Sequence, residues 1–121
     1  MKTSRKVEFT KTAKDDYAQI LDYSAEKFGN QARRRYEALI AAAIEDLAAD
    51  PVRASSRARP ELSDDLRSYH LDHSRRRAIV EGDTVGRARH VVIYRQLTPD
   101  VIRVVRILHD AMEFSRHVPK N

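Results

Sequence analysis

The sequence predicts an α+β fold: an N-terminal strand, an antiparallel helical hairpin packed on a small antiparallel β-sheet, and a short C-terminal helix, all in one domain over residues 1–121. Three observations carry that prediction. Two amphipathic stretches with helical spacing meet at Gly29, and two runs rich in Val and Ile, residues 90–95 and 101–108, flank a Pro-Asp turn. The helical stretches also come before the strands instead of alternating with them, which favours helices lying across one face of an antiparallel sheet.

The elements follow in order. Residues 5–9 alternate, with Arg5, Val7 and Phe9 on one face, as a short edge strand does. Thr12 with Asp15 three residues on has the form of a capping box, although Asp is shorter than the usual Glu. Ala13, Tyr17, Ile20, Leu21, Ser24 and Phe28 then form one helical stripe. Gly29 supplies a left-handed stop, and Asn30 is placed to cap the next helix at once. Ala32, Tyr36, Leu39, Ile40, Ala43 and Leu47 form the second stripe, and Pro51 ends it. Helices joined this tightly pack antiparallel, and their Ala-rich seam lets them approach closely.

Residues 50–65 show no period and carry three arginines, so an irregular basic connection is expected there. Residues 66–71 read as a strand with Arg67, Tyr69 and Leu71 on one face. Residues 72–88 contain the run Arg75-Arg76-Arg77, a possible brief strand at Ala78-Ile79-Val80, and a turn bracketed by Gly82 and Gly86. The hairpin of residues 90–95 and 101–108, turning at residues 96–100, is the expected core. Strict alternation in its second strand puts Ile102, Val104 and Leu108 on one face and Val101, Val105 and Ile107 on the other, so that strand should be central. Asp110 is placed to cap a closing helix that carries Ala111, Met112 and Phe114.

Composition narrows the function. The chain has no Cys, which removes a disulfide framework and thiolate metal sites and suits a cytoplasmic protein. The longest apolar run is too short to cross a bilayer, and the basic N-terminus has no apolar signal segment. A net charge of +5 favours an acidic partner, protein or nucleic acid. Three scattered glycines exclude a phosphate-cradling loop, and no cofactor is implied. His70 and His73, three apart on a strand, are a poor metal pair, and the pairs Asp15-Asp16 and Asp64-Asp65 fit capping and solvation better than paired acid–base chemistry.

One polar constellation stands out: Arg67, Tyr69, Arg95, Arg106 and His109, on neighbouring strand segments. If their faces coincide, the arginines converge into a receptor for an anion or carboxylate, which guanidinium groups bind bidentately. Otherwise each arginine pairs with an acid of the helices or tail. Tyr17, Tyr36, Ile40 and Ile44 on the helical seam offer more apolar area than a thin sheet can cover, so a groove for a partner helix is expected there.

Taken together, the start near residues 9–13, FGNQARRRY at residues 28–36, LRSYH at 66–70, HVVIYR at 90–95 and RILHDAME at 106–113 resemble the ParE branch of the RelE/ParE toxin superfamily over nearly the whole chain. The ending RILHDAME is the most specific piece. The chain departs from the pattern at Phe9-Thr10-Lys11, where Leu-Thr is usual, and in a long insertion at residues 72–88.

The resemblance implies the toxin of a type II toxin–antitoxin pair, of the kind that stabilises plasmids. Such a toxin poisons DNA gyrase by binding and touches DNA only through gyrase or the antitoxin. An acidic-tailed, ParD-like antitoxin neutralises it within a hetero-oligomer. The expected antitoxin contacts are Tyr17, Tyr36, Ile40, Ile44, Arg67, Tyr69, Arg95 and Arg106. The alternative on the same fold is a RelE-like, ribosome-dependent messenger RNA endonuclease, for which Arg67, Arg95, Arg106 and His109 would orient the phosphate and move protons. A stand-alone nucleic-acid binder is supported by charge alone.

Overall fold

The computed structural model describes residues 4–118. Five strands form one sheet in the order β1-β5-β4-β3-β2: β1 (Lys6–Phe9), β2 (Arg57–Ala58), β3 (Leu66–His70), β4 (His90–Thr98) and β5 (Val101–His109). Two helices, α1 (Lys11–Phe28) and α2 (Asn30–Ala49), lie between β1 and β2 in the chain and cover one face of the sheet. The α+β class and the helical hairpin are as the sequence predicts. The sheet is mixed, not wholly antiparallel, because β1 runs parallel to β5 (Val7↔Ile102, Phe9↔Val104). No turn joins these two strands, so nothing local imposes the antiparallel sense.

Local chemistry sets the helix ends. The α1 cap is Thr10, not Thr12: the Thr10 hydroxyl accepts the Ala13 amide at 3.0 Å. At the hairpin turn Gly29 has φ 91° and ψ 172°, a region open to glycine alone, and it closes α1 while opening α2. Asn30 is the first helical residue of α2, not its cap. The connection after α2 contains the two-residue strand β2, which pairs Arg57 with Ser68 and which periodicity is too short to reveal. The insertion begins as a 3-10 turn, Leu71–Arg77, and has one isolated bridge, Val80↔Asp83, in place of a strand. The closing helix shrinks to the 3-10 turn Phe114–Arg116. Asp110 lies ahead of it and does not cap it.

The main core joins the helices to the sheet: Leu21, Leu39, Ile40, Ala43 and Leu47 meet Tyr69, Val92, Tyr94, Ile102, Val104 and Ile107. A smaller core on the opposite face gathers Leu66, Val91, Ile93, Val105, Leu108 and Val118 under Leu62 and Phe114. Strict alternation fails in β5. Ile93 faces Arg106, yet Tyr94 faces Val104, so Val105 is an extra, bulged residue. Ile107 therefore joins Ile102 and Val104 on the helix face, while Val105 and Leu108 go to the other.

Candidate functional site

α1 does two jobs along β5. Because β1 ends at Phe9, strand pairing on that edge stops at Val104. The first turns of α1 continue it with side chains: the Thr10 hydroxyl donates to the Val105 carbonyl at 2.8 Å, and Asp16 Oδ2 accepts the Ile107 amide at 3.0 Å. Arg106 grips the same carboxylate through two bonds of 2.8 and 2.9 Å and donates a third, 2.6 Å, to the His117 carbonyl. This bidentate pair is largely buried, with side-chain exposures of 19% and 11%.

Beside that clamp a groove of about 800 Å³ runs between the hairpin and the end of the sheet. Ile20, Tyr23 and Phe28 of α1 form one wall, His90, Ile107 and His109 lie along the floor, and residues 85–89 form the opposite wall. Tyr23 and Phe28 are 56% and 71% exposed and meet each other edge-on at 6.4 Å, leaving most of both rings in water. Four arginines line the groove, namely Arg35, Arg87, Arg89 and Arg106, against the single acid Asp16. Arg106 occupies that acid. Among the described residues Arg35, Arg87 and Arg89 have no carboxylate within ion-pair distance.

A ring stack fixes the floor. The Tyr36 hydroxyl accepts the Arg89 amide at 3.1 Å and lies 2.6 Å from His90 Nδ1. When the hydroxyl donates its proton to Nδ1, the neutral imidazole carries its own proton on Nε2. His90 also meets His109 edge-on at 5.4 Å. Burial, reinforced by His109, lowers the His90 pKa to about 4, and burial raises that of Tyr36 to about 12. Next to them His70 Nε2 donates to Asp110 Oδ2 at 3.0 Å, and this bond holds the Asp110 carboxyl below its usual range.

The residues singled out in the sequence do not all gather here. Tyr36, Arg106 and His109 line the groove. Ile40 and Tyr69 are 2% and 1% exposed and sit in the main core, so neither offers surface to a partner in this conformation. Ile44 packs against that core, and the Tyr17 hydroxyl turns to Glu37 at 3.5 Å. The expected concavity of arginines does not form. Arg67 pairs with Tyr94 on the helix side, while Arg95 pairs with Leu66 and Arg106 with Ile93 on the far side. Each has a local partner: Arg67 donates to Ser56 Oγ at 2.7 and 3.0 Å, Arg95 lies 3.5 Å from Asp65, and Arg106 holds Asp16. Those residues therefore do not converge as a phosphate clamp.

Sequence reasoning missed Asp16, Tyr23, Arg35, Arg87, Arg89 and His90. Two signals were present. Asp16 sits three after Ala13 and four before Ile20, so a carboxylate borders the buried stripe and needs a cation. Arg87 and Arg89 alternate around Ala88, which points both to one side of an extended run.

Comparison with known proteins assigns this architecture. No curated protein sequence matches the chain. Among solved structures it is similar to a protein described as the chromosomal ParDE TA system from P. aeruginosa, with a TM-score of 0.61 and 16% sequence identity over 88% of this chain and 96% of that one. At that identity the likeness speaks for the fold. The family model for the ParE toxin of the type II toxin–antitoxin system, parDE, matches residues 7–114, nearly all the elements described above, and the chain accordingly belongs to the ParE toxin family.

Proposed function

We propose that this toxin poisons DNA gyrase by binding, with no bond-making chemistry of its own, and that a ParD-like antitoxin neutralises it by laying an amphipathic, acidic helix into the groove. The groove carries this reading. One wall, made of Ile20, Tyr23 and Phe28, is apolar, and among the described residues three of the groove's arginines, Arg35, Arg87 and Arg89, form no ion pair. An exposed apolar surface with a cationic rim is complementary to a helix bearing an apolar stripe flanked by carboxylates. The toxin would act in the cytoplasm beside gyrase; no helix among the described residues is long and apolar enough to cross a membrane.

The scattering of Arg67, Arg95 and Arg106 weighs against the endonuclease alternative, which needs cations converging on one phosphate. The test uses purified toxin with gyrase, DNA and ATP. Cleaved DNA trapped on gyrase should accumulate, and cells expressing the toxin alone should stop replicating DNA before they stop translating. Ribosome-dependent cutting of messenger RNA without trapped cleavage would overturn the assignment.

A further inference from the structure

Val85, Gly86, Arg87 and Arg89, at the end of the segment between β3 and β4, line one side of the groove. That side is anchored. Glu81, at φ 52° in the left-handed region, and Gly82, at φ 79°, make the tight turn closed by the Val80↔Asp83 bridge. Arg34 of α2 ties Glu81 at 2.9 Å. The Arg75 guanidinium donates to the Gly86 carbonyl at 3.1 Å, and Asp72 accepts the Ala88 amide at 2.9 Å. Ala88 is a plug, 1% exposed, so the residues on either side of it, Arg87 and Arg89, project outward at the groove. Two arginines that form no ion pair among the described residues, Arg89 acting on Asp110 only through its field, thus stand on a braced support and line the same groove as Tyr23 and Phe28.

Resting on the toxin reading above, we infer that residues 78–89 are the element that selects the antitoxin: they accept a helix with acidic side chains along the flank facing Arg87 and Arg89 and reject one whose flank is neutral or basic. Bracing matters to this role. Arginines on a loose loop would lose ordering entropy on binding and could swing away from a mismatched partner. With the backbone that carries them held in place, their charges stay at the groove and penalise an approaching cation, which is how charge at an interface rim suppresses wrong partners.

The experiment uses the full toxin and the antitoxin that neutralises it in co-expression. Affinity is measured across a salt series for the wild type, the double variant Arg87→Glu/Arg89→Glu, the double variant Arg87→Gln/Arg89→Gln, and Arg57→Glu. Arg57 is an exposed arginine on β2, away from the groove, and serves as the control. The Glu pair should bind on the order of 10- to 100-fold more weakly, the Gln pair by an intermediate factor with a shallower salt dependence, and the control within a few-fold of wild type. Replacing the antitoxin's facing acids with Arg should restore binding to the Glu pair and weaken binding to the wild type. If the Glu pair binds as well as the control, the selectivity wall is overturned while the toxin–antitoxin reading stands. If neither wild type nor control binds the antitoxin, that reading fails and takes the wall with it.

Discussion

The two ends of the helical hairpin are built in opposite ways. At the far end of α2 nearly every polar group is tied down. Asp46, only 13% exposed, meets Arg77 Nε at 2.9 Å and Arg53 Nη1 at 3.7 Å and accepts the Ser74 hydroxyl at 2.5 Å. The Tyr94 hydroxyl donates to the Pro51 carbonyl, and Arg5 donates to the Ala48 and Ala49 carbonyls that end α2. At the Gly29 end the helices part from the sheet. Tyr23 and Phe28 lean on each other in water; Arg33 and Arg34 hold Asp22 and Glu81, but among the described residues Arg35, Arg87 and Arg89 form no ion pair. Stability is thus concentrated where the hairpin is closed, while the exposed apolar surface, the proposed seat of the antitoxin, lies where it is open. The main core runs between the two ends, so the open end can stay unsatisfied without unravelling the fold.

The largest effect is expected at the closed end. Asp46→Ala removes the acceptor of the buried Ser74 hydroxyl and the carboxylate between two arginines, although Arg77 keeps Glu45 and the Ala42 carbonyl and Arg53 keeps the residue 46 carbonyl. Losing hydrogen bonds to a charged, mostly buried group costs about 1.5–3 kcal/mol. Chemical denaturation should read this as a lower midpoint at unchanged slope. A loss under about half a kcal/mol would show that the network is surface decoration, and the contrast between the ends would collapse.

The second expectation concerns acid and belongs to the open end. The folded pKa of His90, about 4, lies below the usual 6.5, so between those values the unfolded chain binds more protons than the folded one. Stability is therefore full above about pH 6.5 and falls as pH drops toward 4. A shift of that size sets a ceiling of about 3 kcal/mol, and water at the groove brings the expected loss to roughly 2 kcal/mol. The groups around His90 are Tyr36 from α2, His109 and Asp110 from the end of β5, His70 from β3 and Asp16 from α1. The acids among them partly oppose the shift and the histidines deepen it. The protonated ring would also lose Nδ1 as an acceptor for Tyr36. Replacing His90 with Gln, which keeps an acceptor but does not titrate, should flatten the stability profile between pH 4 and 6.5. An unchanged slope would move the acid sensitivity elsewhere.

The same contrast explains what could be read from the sequence. The two helical stripes, Gly29, the edge strand and the β4–β5 hairpin are local patterns, and each appears where the sequence puts it. Pairing between distant segments is not local. Nothing near β1 reveals that it runs parallel to β5, and no alternation count detects the extra residue Val105, which turns Ile107 to the helix side. The arginine concavity failed for another long-range reason: the β3–β4 register sets Arg67 on the helix side and Arg95 on the other, and each arginine finds its own local partner. The groove was expected on the helical seam at Tyr17, Tyr36, Ile40 and Ile44, of which Tyr36 lines the groove that forms. A hairpin closed over a full sheet buries the middle of that seam, and the apolar surface left over lies at its open end.

The smallest change in stability should come with the largest change in behaviour. Phe28→Ser removes a ring that is 71% exposed and touches little besides Tyr23, so its cost in folding free energy should stay within about half a kcal/mol. That ring nonetheless forms part of a wall made of Ile20, Tyr23 and Phe28, a contiguous apolar surface of the kind that drives association. Without antitoxin, the wild-type chain should self-associate as concentration rises, and Phe28→Ser should remain monomeric over a wider range in sedimentation or light scattering. Antitoxin affinity should fall by roughly 1–2 kcal/mol, about tenfold, because an exposed aromatic anchor contributes once a partner covers it. The comparison is sharp because the readouts should move in opposite senses at the two ends. Asp46→Ala should lower stability while the remaining folded protein binds antitoxin normally; Phe28→Ser should keep stability and lose affinity. If Phe28→Ser unfolds the chain, or binds antitoxin and self-associates like the wild type, then the open end is not held in reserve for a partner, and the division of labour along the hairpin is wrong.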